Sequence, residues 1–128
     1  MAKWELIYEV AKNLGRGWKV DASGLQDLGF FAGRASGPDG MELFFVARTE
    51  KLDPSREHSY PPLGWLRVDG RLHFRDKALS ANLSIMLRES LTAEELANEL
   101  IARFLPFYAD VLRAVEKDNS QHPEVGLR

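Results

Sequence analysis

The sequence predicts an α+β fold in which an antiparallel sheet of about five or six strands packs against an N-terminal helix and a long, proline-containing C-terminal helix. Apolar residues recur at helical spacing at both ends of the chain, while the middle carries short alternating segments separated by Gly, Pro and Asp turns. The strands therefore fall in one run between two helical segments, the order of a sheet covered on one face by terminal helices.

Trp4, Ile7, Tyr8, Ala11 and Leu14 share one face of a helix over residues 3 to 14, and Gly15 follows where a left-handed residue ends a helix. Trp18 to Val20 reads as a short strand leading into a Gly/Ser/Asp turn region. A Phe-rich hairpin from Gly29 to Arg48 comes next. Gly37-Pro38-Asp39-Gly40 suits a type I turn, with Pro38 presetting φ, Asp39 in the bridge region and Gly40 at positive φ as a G1 bulge. That turn pairs Ser36 with Glu42, Arg34 with Phe44, Ala32 with Val46 and Phe30 with Arg48. Residues 49 to 63 include Pro54, Pro61 and Pro62 and keep neither period, so they predict a long loop. Trp65 to Val68 and Arg71 to Phe74 flank Asp69-Gly70, a type I′ signal, and predict a second hairpin with Trp65 opposite Phe74 and Leu66 opposite His73. Leu83, Ile85 and Leu87 alternate with Asn82, Ser84, Met86 and Arg88, giving one more half-buried strand.

Thr92-Ala93-Glu94-Glu95 is a capping box. It opens an apolar stripe of Leu96, Leu100, Phe104, Tyr108, Val111 and Val115, broadened by Ala97, Ile101, Leu105 and Leu112. Pro106 removes one helical N–H, so a kinked helix and two helices meeting at Leu105 satisfy the pattern equally. Residues 118 to 128 are polar, hold Pro123 and Gly126, and predict a flexible tail behind a single domain of residues 1 to 117.

Composition narrows the function classes. A chain of 128 residues is one domain, long enough to take about two-thirds of its unfolded surface out of water. With no cysteine there is no disulfide framework and no thiol or cysteine-ligated metal chemistry, which fits a reducing cytoplasm. The longest apolar run, Leu43 to Ala47, is far short of the roughly 20 residues of a spanning helix, and the N-terminus lacks a basic-then-apolar signal pattern. A cytoplasmic protein without a membrane partner is the expectation. Seventeen Lys and Arg against nineteen Asp and Glu give a net charge of −2, so no global positive field favours nucleic acid.

The hairpin register sorts side chains onto two faces. Phe31, Gly33, Ala35, Leu43, Phe45 and Ala47 carry no polar group and predict the core side. Phe30, Arg34, Phe44, Val46 and Arg48 lie on the other side and form the predicted partner-binding face, a mixture of apolar and guanidinium groups enriched in contact surfaces. With Arg67, Arg71 and Arg75 on strands or hairpin ends, the Arg/Phe face suits a stacking platform for single-stranded nucleic acid, the alternative reading. The acidic balance and the absence of an RNP motif place a host protein or nucleoprotein partner first; a homodimer is also compatible. The loop residues Asp53, Arg56, His58 and Tyr60 form a second candidate contact region. Asp53, Ser55, Glu57, Ser59 and Tyr60 around His58 supply acid, base and nucleophile by type, yet polar residues are the ordinary composition of a proline-rich loop, so the expectation is a non-enzymatic protein. His58, His73 and His122 show no metal-ligand spacing, and neither a metal nor another cofactor is expected. Gly15-Arg16-Gly17 follows a helix rather than a strand and reads as a helix stop, not a phosphate loop.

Trp4, Leu14-Gly15-Arg16-Gly17-Trp18, Pro38-Asp39-Gly40 entering a strand, and Leu96-Ala97 through Leu105-Pro106-Phe107-Tyr108 together resemble small uncharacterised proteins carried by bacterial phages and plasmids. The likeness spans most of the chain and rests on turns, caps and a helix, so it carries over no functional residue. It implies an accessory factor that binds a host component, including a nuclease or CRISPR-type complex of antiviral defence.

Overall fold

The computed structural model describes residues 3–27, 30–48, 61–75 and 81–121. In chain order these form α1 (Lys3–Leu14), β1 (Lys19–Asp27), β2 (Phe30–Ser36), β3 (Glu42–Arg48), β4 (Trp65–Leu72), β5 (Ala81–Arg88), α2 (Ala93–Arg103) and α3 (Leu105–Gln121). The strands make one antiparallel meander in the order β1-β2-β3-β4-β5. The fold is α+β, with α1 lying over β1 and β2, α3 meeting β4, and α2 packed against both other helices.

α1 buries Ile7, Val10 and Ala11, while Tyr8 is 41% exposed, so the buried stripe is rotated from the expected one. Gly15 ends the helix at φ +118°. β1 runs on to Asp27 through the segment expected to turn, and accommodates it by a register shift against β2 between Asp21 and Gln26. The β2–β3 register is the expected one from Phe30↔Arg48 to Ser36↔Glu42. The turn differs in one residue. Asp39 takes the left-handed conformation (φ 58°, ψ 30°) rather than the bridge region, and Gly40 follows at φ 78°. Asp is among the few side chains that tolerate this region. Gly37 is extended, and its lack of a side chain serves packing, since a Cβ there would lie 2.6 Å from the ring of Trp18.

The expected second hairpin does not form. β4 passes straight through Asp69-Gly70, pairing Phe44↔Asp69 and Leu43↔Gly70 on one side and Asp69↔Ser84 and Gly70↔Leu83 on the other. Both residues have a reason to sit inside a strand. Asp69 is buried on the face away from the helices, where the Ser84 hydroxyl donates to it at 2.6 Å and Arg67 Nε lies 3.2 Å away. Gly70 lies under the ring of Tyr108, where a Cβ would approach Cδ1 and Cε1 to 2.9 Å. Leu66, Val68 and Leu72 keep the two-residue period on the helix side, all buried.

The capping box forms as expected. Glu95 N–H donates to Thr92 Oγ1 at 3.1 Å, and Thr92 N–H donates to Glu95 Oε1 at 2.9 Å. Of the two arrangements open at Pro106, the chain adopts two helices. α2 ends at Arg103, Phe104 leaves helical geometry at φ −121°, and Pro106 falls in the first turn of α3, where a missing N–H costs nothing. The buried stripe is narrower than expected. Leu96, Ala97, Leu100, Phe104, Tyr108 and Leu112 are buried, but Ile101, expected in the core, is 44% exposed. α3 continues to Gln121, past the expected start of the tail at residue 118, because Asn119 is held. Its Oδ1 accepts from Arg75 N–H at 2.8 Å and its amide donates to the His73 carbonyl at 3.1 Å.

Candidate functional site

The sheet face away from the helices brings charged strand residues together with Phe44 and Trp65. One row crosses all five strands as Asp21↔Arg34↔Phe44↔Asp69↔Ser84, and the next runs Ala32↔Val46↔Arg67↔Met86. Because strand neighbours directly opposite one another share a face, these rows place the partner-binding candidates Arg34, Phe44 and Val46 together. Trp65 pairs with Arg88 further along the same face.

Glu42 organises one end of this surface. Its Oε1 lies 3.2 Å from Arg34 and 3.6 Å from Arg71, and its Oε2 lies 3.3 Å from His73 Nε2. Arg34 also bonds Asp21, and that hydrogen bond raises the guanidinium pKa further, keeping the charge at any working pH. The Phe44 ring is stacked by both arginines, with Arg71 at 4.7 Å and Arg34 at 5.8 Å from its centroid. Arg88 covers Trp65 at 4.1 Å. Arg34, Arg67 and Arg71 are thus each tied to a carboxylate, and the rings of Phe44 and Trp65 already carry guanidinium groups.

The other candidates are placed differently. Arg48, paired with Phe30 of β2, falls on this face by register and is only 7% exposed. Arg75 lies beyond the end of β4 beside Asn119, not on a strand. The contact-loop candidates Asp53, Arg56, His58 and Tyr60 lie outside the described residues, as do His122 and the last seven residues. Among the described residues, no group of three His, Asp or Glu is arranged to hold a metal, and no helix is long and apolar enough to cross a membrane.

Tyr108 anchors Glu42 from the opposite side of the sheet. The Glu42 N–H donates to the Tyr108 hydroxyl at 3.1 Å, and the hydroxyl donates to the Arg71 carbonyl at 2.6 Å. The phenol therefore sits between two backbones just beyond the last Leu43↔Gly70 pair, holding together the strands whose Glu42 and Arg71 side chains meet outside. Burial raises the Tyr108 pKa above its ordinary 10.0. As pH rises, the unfolded chain loses this proton first, so stability is intact below about pH 10 and falls as pH climbs toward the folded value. Tyr108→Phe is expected to cost about 1–3 kcal/mol near neutrality, from the unmet backbone groups, and to flatten the alkaline loss. Urea midpoints of both proteins at neutral and alkaline pH test this.

No protein-family model, curated protein or solved structure matches the chain. The site therefore rests on its own geometry. Glu42, Asp21, Asp69, Trp65 and Ser84 belong to it and were not expected from the sequence. The alternation of Leu66, Val68 and Leu72 across Asp69-Gly70 is the signal that places Asp69 and Arg71 on the same face as Phe44.

Proposed function

We propose that the chain is a non-enzymatic binding protein whose sheet face away from the helices docks a host protein or nucleoprotein complex. The observation that carries this reading is the pre-paired surface itself. Arg34 and Arg71 are held on Phe44 by Glu42, with Val46 and the 38%-exposed Met86 in the adjoining row. Arginines fixed by neighbours lose little side-chain freedom on docking, and guanidinium groups beside aromatic and thioether carbon are the composition of protein interface centres. The sequence resemblance supplies the setting, a phage or plasmid accessory factor acting in the cytoplasm, with inhibition of a host nuclease or CRISPR-type complex within that class.

Single-stranded nucleic acid is the second reading. It would need free ring faces for base stacking and unneutralised cations along a backbone track. Phe44 and Trp65 are covered by arginines, and Asp21, Glu42 and Asp69 lie among the cations, which favours a protein surface.

Affinity capture from the source cell, with and without nuclease, tests the proposal alongside direct oligonucleotide titration. Arg34→Ala with Phe44→Ala is expected to abolish capture of a protein partner that survives nuclease, while the purified chain shows no appreciable binding to single-stranded DNA or RNA near physiological salt. Sub-micromolar oligonucleotide binding that collapses between low and moderate salt, and is lost in the double variant, would establish the second reading instead.

A further inference from the structure

β5 forms one edge of the sheet. Among the described residues it pairs with β4 alone, in an unbroken register from Trp65↔Arg88 to Leu72↔Ala81. An edge strand presents alternate N–H and C=O groups sideways, and monomeric proteins blunt such edges with proline, bulges or inward charges. The opposite edge has such a device in the register shift of β1 between Asp21 and Gln26. β5 has none: its sequence, ANLSIMLR, contains no proline and a single charged residue, Arg88, at its end.

Its side chains are also incompletely covered. Leu83, Ile85 and Leu87 point to the helix side, and Leu87 is buried, but Leu83 and Ile85 are only half-buried because the helices pack chiefly over β1, β2 and β4. Met86 on the other face is 38% exposed. Apolar side chains thus flank the open backbone groups on both faces.

We infer that β5 pairs with β5 of a second copy, antiparallel about a two-fold axis at Ile85, joining two five-stranded sheets into one. Such a contact uses the same strand twice and so must be self-complementary. With the axis at Ile85, Ile85 meets its own copy, Leu83 meets Leu87, Ser84 meets Met86 and Asn82 meets Arg88. Every helix-side pair is apolar, and the two Arg88 residues lie at opposite ends of the seam, so no like charges meet. Moving the axis to Ser84 sets Ala81 opposite Leu87 and carries Arg88 past the partner strand. A one-residue slip of pairing sets helix-side residues against outer-face residues, which an antiparallel ladder does not allow. The seam does not involve Arg34, Phe44 or Val46, which lie on the central strands, so it stands independently of the docking reading above.

Sedimentation of the full chain from low-micromolar to near-millimolar concentration is expected to show the mass rising from 14.5 kDa to twice that value. Met86→Lys, on an exposed position, and Leu83→Lys, an inward charge at the edge, are each expected to weaken the dimer at least about tenfold with an unchanged far-UV spectrum. Since the chain has no cysteine, the register can be read directly. Ile85→Cys should give a disulfide-linked dimer under an added oxidant, and Arg88→Cys should not. A monomer throughout the range, a dimer indifferent to Met86→Lys, or cross-linking through residue 88 in preference to 85 overturns the inference.

Discussion

Gly70→Val is expected to destabilise the protein by about 3 kcal/mol or more, read as a fall in the urea midpoint. A Cβ at this position would already stand 2.9 Å from the Tyr108 ring, and the branches of valine would reach further into it. The ring has nowhere to retreat, because its hydroxyl is held by the Glu42 N–H and the Arg71 carbonyl and its face stacks on Phe104 at 5.7 Å between centroids. Gly70→Ala makes the smaller intrusion and recovers some backbone entropy, so a loss of about 1–3 kcal/mol is expected there. A loss below about 0.5 kcal/mol for valine would mean that α3 can lift from β4 at little cost.

Leu100→Ala is expected to cost about 2–5 kcal/mol, and Ile101→Ala less than about 1 kcal/mol. The two residues are adjacent on α2, yet Leu100 is fully buried and Ile101 is 44% exposed. Removing Leu100 leaves a cavity in the core, whereas solvent already reaches Ile101. Equal losses, measured by denaturant midpoints, would show that α2 is rotated about its axis relative to this arrangement.

The elements that local chemistry specifies were legible in the sequence. Thr92 and Glu95 mark a helix start by the hydrogen bonds their own side chains make, and Pro38, Asp39 and Gly40 set a hairpin whose register follows from the turn. β4 was not legible in the same way. Asp-Gly is an ordinary turn dipeptide, and the facts that straighten it are remote: Ser84 on the next strand satisfies Asp69, and Tyr108, far along the chain, requires Gly70 to be bare. Ile101 stands at the flank of the α2 stripe, one turn beyond Ala97 and away from Leu96 and Leu100, where helical spacing alone does not separate core from surface. For the site, Arg34 opposite Phe44 followed from the hairpin, but the part played by Glu42 depends on Arg71 and His73, which join it only once β4 is continuous.

The Tyr108 hydroxyl also ties the outer face to a helix far along the chain. Its bonds reach Glu42 across 66 positions and Arg71 across 37, so large loops must close before either can form. β3 and β4 pair through their own backbones from Leu43↔Gly70 to Ala47↔Leu66, whereas the stretch joining Glu42 to Arg71 is bridged through the Tyr108 hydroxyl of α3. The ionic cluster on the far side of the sheet therefore depends for its alignment on a helix across the sheet from it: the backbones that carry Glu42 and Arg71 are clamped by Tyr108 of α3.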